Sequence, residues 1–195
     1  GLLKNKSGKF PSTREDYAFR LAEERVKRKG TQIWREDNDK ESDLPRAPFI
    51  VREGKRQEPI ALALAETLLD IKILDVGFDL HPTIAFFGAS PDGICDDFLV
   101  EVKAQTGGRH SKTRLRGIIP EKYKFQMLLQ LACWRHKGFK RVMFLSVDDS
   151  FPRDDQKLGI AYFEPEENLI VCAENYAIQF LKEVKSIEDE IRSIR

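Results

Sequence analysis

Histidine and cysteine are scarce in this 195-residue chain, with three of each, and their scarcity removes whole classes of chemistry. Cys95, Cys133 and Cys172 are odd in number and widely spaced, with no Cys-x-x-Cys pair. A disulfide framework, a zinc site and an iron–sulfur cluster all want paired or clustered cysteines. Long apolar runs are missing as well, and no secretory leader is visible, so the expectation is a soluble, cytoplasmic protein with no membrane partner. An excess of one charge is also lacking. Thirty-three basic residues against 32 acidic ones leave a net charge of +1, so bulk charge does not announce a nucleic-acid partner.

What is present is 41% hydrophobic content, enough for one sizeable core. A single domain over residues 1–195 is the simplest count. Within it, 1–50 reads as an N-terminal helix and polar loop, 51–150 as the core carrying the chemistry, and 151–195 as C-terminal strands and a helix. Residues 12–29 are amphipathic, with Ser12 or Thr13 as N-cap and Gly30 as stop signal. Residues 31–48 are polar and charged, a long loop or disordered segment. A helix is expected over about 57–69, strand-like runs at 74–80 and 83–88, and a strong strand at 141–147. Further strands are expected at 159–163 and 169–172, with a helix from Ala173. That order suits an α/β fold with a central mixed β-sheet flanked by helices. The last helix bears Ala177, Phe180, Val184, Ile187, Ile191 and Ile194 at steps of three and four, a seam for packing on its own domain or for self-association.

The chemistry concentrates in Ser90-Pro91-Asp92-Gly93 and Leu99-Val100-Glu101-Val102-Lys103. The second stretch has strand composition, and alternation puts Glu101 and Lys103 on one face and Val100 and Val102 on the other. Pro91-Asp92-Gly93 reads as a turn that folds Asp92 back beside Glu101. Two carboxylates offer the hard oxygens Mg²⁺ prefers, and such an ion polarises phosphate and acidifies water. Lys103 then holds or deprotonates the water, or steadies charge on the phosphorus. The competing reading is a surface hairpin with ordinary charges.

Two other features bear on this site. Glu58 shares a helical stripe with Leu62, Ala65 and Leu69, where a carboxylate is costly unless paired, protonated or cation-bound. A place in the helix's first turn, favoured by the macrodipole, would also explain it. Between Val102 and Pro120 there is no acid, yet Lys103, Arg109, Lys112, Arg114 and Arg116 all occur. With Gly107-Gly108 this suggests a flexible loop able to contact DNA phosphates. His110 there reads as a phosphate contact or a bystander. Gln126 and Gln130 share a face of an apolar helix and need buried partners.

In combination these pieces resemble the lambda exonuclease and YqaJ-type phage recombination nucleases, a branch of the PD-(D/E)XK superfamily. Four blocks match in order: Gly54-Lys55-Arg56-Gln57-Glu58 at a helix start, Phe87-Gly88-Ala89-Ser90-Pro91-Asp92-Gly93, Leu99-Val100-Glu101-Val102-Lys103, and Pro120 with Tyr123, Gln126 and Gln130. The resemblance implies a restriction-endonuclease-like core and a catalytic set of Asp92, Glu101, Lys103, Glu58 and Gln126. It implies metal ligands from Asp92, Glu101 and the Val102 carbonyl, with Mg²⁺, or Mn²⁺ in its place, as cofactor. Ser90 carries over as a phosphate contact, beside Arg109, Lys112, Arg114 and Arg116. The implied activity is exonucleolytic digestion of linear duplex DNA from its ends, 5′ to 3′, in phage-type recombination with a single-strand annealing partner. A ring-shaped trimer and a phage or prophage origin are implied as well. An endonuclease or flap nuclease of the same superfamily, and a silent DNA-binding or assembly module, are the alternatives. The family's opening Trp-x-x-x-Arg with its Thr-Ala-Ser has no counterpart here; Lys6, Ser7, Lys9, Ser12 and Arg14 are candidates to replace it.

Overall fold

A computed structural model describes residues 12–27 and 49–194, the side chains of Ser12, Phe49 and Ile50 excepted. The polar segment 31–48, Lys6, Ser7 and Lys9 therefore lie outside what is described. Packing divides the chain into two compact units, Ala47–Ala173 and a second made of Gly1–Arg46 with Glu174–Arg195.

The larger unit holds the sheet. Its elements are α2 (Phe49–Leu69), β1 (Asp79–Leu80), β2 (Gly88–Ala89), β3 (Gly93–Cys95), β4 (Phe98–Ala104), α3 (Arg109–Arg116), α4 (Glu121–Trp134), β5 (Arg141–Val147), the one-turn α5 (Asp154–Lys157) and β6 (Leu158–Phe163). The long C-terminal helix α6 (Glu167–Ser193) begins here and continues into the other unit. The main sheet runs β3-β4-β5-β6, and β4 and β5 pair in parallel while both edges are antiparallel. It is the mixed sheet flanked by helices that the sequence pattern predicts. The parallel pair needs a crossover, and α3 and α4 supply it.

Alternation along β4 sorts the core into two layers. Val100 and Val102 join Met143, Leu145, Ala61 and Ala65 on the side covered by α2. Leu99 joins Val142, Phe144, Met127 and Leu131 on the side covered by α4. Full burial of each such side chain contributes about 1.5–3 kcal/mol. The small alanines of α2 let that helix approach the sheet closely, and Pro59 inside it forfeits one backbone hydrogen bond.

Several expected elements take another form. α2 opens at Phe49 rather than at Gly54 and runs unbroken through that glycine. Val51, in the first turn of α2, is exposed. The run 74–80 yields only a bridge at Leu74 and the short β1, and 83–88 is mostly turn. Residues 169–172 are helical within α6, where Ile170 faces the core. The basic stretch is not a flexible loop throughout: it forms α3, framed by Gly108 (φ 80°) and Gly117 (φ 62°) in the left-handed region glycine tolerates.

In the smaller unit, α1 (Ser12–Lys27) meets α6. Ala18 and Ala22 pack with Phe180 and Val184, flanked by Ile187 and Ile191. The seam thus serves packing within the chain. Arg14, a candidate to replace the family's opening segment, is buried against Glu183 and lies over the Phe180 ring. Its charge is consumed in holding α6.

Candidate active site

The site starts from strand register. Gly93 faces Val100 across β3 and β4, and the Asp92 amide donates to the Val100 carbonyl at 2.9 Å. That places Asp92 at the mouth of the hairpin beside Glu101. Its Oδ2 accepts the Val102 amide at 2.6 Å, so the backbone itself aims the carboxylate.

Glu101 is fully buried at the centre of β4. An isolated carboxylate there would be very costly, and three donors offset it. Lys103 Nζ pairs with Oε1, Gln126 Nε2 donates to Oε1 at 2.6 Å, and Gln130 Nε2 donates to Oε2 at 2.6 Å. Both glutamines come from successive turns of α4, which explains their presence on an apolar helix. Gln130 touches the same carboxylate as Gln126. Lys103 also lies 5.7 Å from the centre of the Tyr123 ring.

The acids resist ionisation. Burial pushes the Asp92 carboxyl up from its ordinary range, against the pull of the Val102 amide and Lys103. Glu101 is likewise raised, by burial first and by the Asp92 charge, while Lys103 and Gln130 pull it down. Glu58 is raised by desolvation and by Asp92, with Lys103 opposing. Glu58 thus feels the cluster electrostatically. It stands well inside α2, so its place is not explained by the helix's first turn.

Among the described residues, no three His, Cys, Asp or Glu side chains form a ready-made metal cage. The donor set still fits a hard cation held largely by water. Asp92 has one oxygen engaged by Val102, and Glu101 Oε2 accepts one hydrogen bond where a carboxylate oxygen has two acceptor positions. Three carboxylates whose pKa values burial raises also form a field that a divalent ion would relieve.

The candidate phosphate contacts fall into two groups. Ser90 is exposed just ahead of Asp92. Arg109, Lys112, Arg114 and Arg116 are exposed on α3, with Arg114 tied at its Nε to the Asp155 carbonyl at 3.1 Å. His110 is no phosphate contact. It is buried, its Nε2 donating to the Gln156 carbonyl at 2.8 Å and its Nδ1 3.0 Å from the Ser146 hydroxyl, which also reaches Gln105. This chain of polar groups, which sequence spacing does not reveal, pins α3 to the end of β4 two residues past Lys103.

An acid delivered by a hairpin, facing a buried glutamate and a lysine two residues apart on a mixed-sheet strand, is the PD-(D/E)XK arrangement. Over residues 13–137 the sequence matches the YqaJ-like viral recombinase domain, and the chain belongs to that family. The fold is similar to an alkaline exonuclease (LHK-Exo) from Laribacter hongkongensis, with 30% identity, 90% of each chain covered and a TM-score of 0.67. The same values hold for LHK-Exo in complex with dAMP. A phage-related exonuclease from Haemophilus somnus 129PT shares the fold at a TM-score of 0.54 and 10% identity, over 98% of this chain and 91% of that one. No curated protein matches the sequence. No described helix is long and apolar enough to cross a membrane.

Proposed function

We propose that this protein is a Mg²⁺-dependent exonuclease that digests linear duplex DNA during phage-type recombination. The observation that carries this reading is Glu101, fully buried yet held by Lys103, Gln126 and Gln130 and facing Asp92. A protein spends stability on such a cluster where chemistry requires it. Membership of the YqaJ-like family and similarity to LHK-Exo, which binds dAMP, support the choice of nucleic acid as substrate.

Asp92, Glu101 and the Val102 carbonyl would hold the ion, with Mn²⁺ able to replace Mg²⁺. When bound, the ion supplies charge neutralisation at the phosphate and an acidified water. Lys103 orients that water or donates to the phosphate oxygens as charge builds. Gln126 and Gln130 fix the Glu101 rotamer, and Glu58 adds a third negative charge to the site. Ser90 and the cations of α3 bind flanking phosphates. Polarity from 5′ to 3′, release of a 3′ strand to an annealing protein, and a trimeric ring around DNA complete the proposal.

The deciding experiment compares end-labelled linear duplex, with 5′-phosphate or 5′-hydroxyl ends, against covalently closed circles, with Mg²⁺ or EDTA. Loss of linear substrate alone, only with Mg²⁺ and only from Asp92-intact enzyme, is expected. Nicking of closed circles would establish the endonuclease alternative instead.

A further inference from the structure

Tyr123 stands on the same stripe of α4 as Gln126 and Gln130, at i, i+3 and i+7. The two glutamines hold the Glu101 carboxylate. One helical turn covers about 5.4 Å, and two residues of strand cover roughly 6.6 Å. A turn back from Gln126 along α4 therefore matches the step along β4 from Glu101 to Lys103. The residue that α4 brings to Lys103 is Tyr123.

The contacts agree with that register. Lys103 Nζ lies 5.7 Å from the centre of the Tyr123 ring, within cation–π reach. The ring itself is well held. It is half-buried and packs on Phe144 at 5.7 Å and 31°, and Phe144 is fully buried as the register partner of Glu101. Lys122 Nζ lies 4.5 Å from the centre of the same ring. It is the electron-rich face of the ring that the neighbouring charges use.

Lys103 has a four-carbon chain with many rotamers, and its ion pair is with Glu101. An ion pair sets the separation of two charges but leaves the direction of the ammonium loosely fixed. A rigid ring on a different element adds a second point of attachment, and so a direction. We propose that Tyr123 is a positioning residue for phosphodiester cleavage, its ring face holding the Lys103 ammonium in line for the reacting phosphate. This deepens the nuclease reading and rests on it. Tyr123 acts only through Lys103. Displacing a catalytic group by about 1 Å costs up to roughly a hundredfold in rate, so the effect belongs in kcat rather than in KM.

The test keeps the shape of the ring and withdraws its electron density. The full chain is prepared with Tyr123→Phe, and with the same phenylalanine carrying one, two or three ring fluorines. Turnover and KM are measured on linear duplex DNA with Mg²⁺. Tyr123→Phe should keep kcat within about twofold, and successive fluorines should lower it stepwise by up to about tenfold at constant KM. Tyr123→Leu, which has bulk but no ring face, should lose about tenfold as well. Should the leucine variant fail to fold, the fluorine series decides alone. A ring that served packing only would leave kcat indifferent to fluorine, and that result in an active chain would overturn the proposal. The series is repeated with Lys122→Gln to separate the two cations. Its fluorine dependence should persist, and its disappearance would assign the ring to Lys122 and overturn the role through Lys103. A parent chain that leaves linear duplex intact is a separate outcome, which removes the nuclease reading itself and this role with it.

Discussion

Asp92 accepts a hydrogen bond from Val102 through one oxygen, yet burial still holds its pKa above the ordinary carboxylate range. Asparagine keeps the acceptor and removes the charge. Asp92→Asn should therefore abolish digestion while raising stability by about 1 kcal/mol, read from urea or thermal unfolding. The sign follows from linkage. With a folded pKa raised, the native state binds the extra proton, so stability falls as pH rises from the ordinary value through the raised one. The gain from Asn should vanish below that window and be complete above it. Gln130 behaves in the opposite way. It is buried and donates to Glu101 at 2.6 Å, so Gln130→Leu strips a donor from a charged acceptor. A loss of about 2 kcal/mol is expected, with reduced turnover. A variant as stable as the parent would show that Glu101 is protonated or finds another donor.

At the scale of elements, α3 and β6 meet with little clearance. A Cβ at Gly159 would lie 2.9 Å from the Arg114 backbone nitrogen, which cannot swing aside as a side-chain tip would. Gly159→Ala should cost about 1–3 kcal/mol and displace the helix that carries Arg109, Lys112 and Arg116. The measurable consequence is weaker DNA binding with a shallower salt dependence, as phosphate contacts drop out. His110 locks the same helix from within, through Ser146 and the Gln156 carbonyl. The basic stretch reads in sequence as a flexible loop because glycines flank it and its apolar content is low. What orders it is a buried polar chain whose members are 36 and 46 residues apart, a separation that local pattern does not register.

For the molecule as a whole, two sets of carboxylates pull stability in opposite directions with pH. Asp79, Asp97, Asp149 and Asp155, each paired with a lysine or arginine, titrate below their ordinary range, and their modest stabilisation is lost as pH falls through it. Glu58, Asp92 and Glu101 titrate above theirs and oppose folding as pH rises. Stability without divalent ions should therefore peak between the two titration ranges and decline as pH rises through the raised one. Mg²⁺ should raise the melting temperature above the raised titration range of these acids and have little effect below it, since it binds the ionised acids. Equal effects on both sides of that range would argue against these carboxylates as its ligands.

Sequence by itself determined the local facts. Alternation placed Glu101 and Lys103 together on one face of β4 and Val100 and Val102 on the other, and the spacing of Gln126 and Gln130 put both on one side of α4. These follow from backbone periodicity, which each segment carries alone. Tertiary structure decided which layer each face meets: α4 over Glu101, α2 over the valines, α3 pinned beyond Lys103. It also decided that 169–172 would be helix and 83–88 largely turn. Those outcomes depend on burial against distant parts of the chain, whose free energy exceeds the small local preferences that a short stretch of sequence expresses.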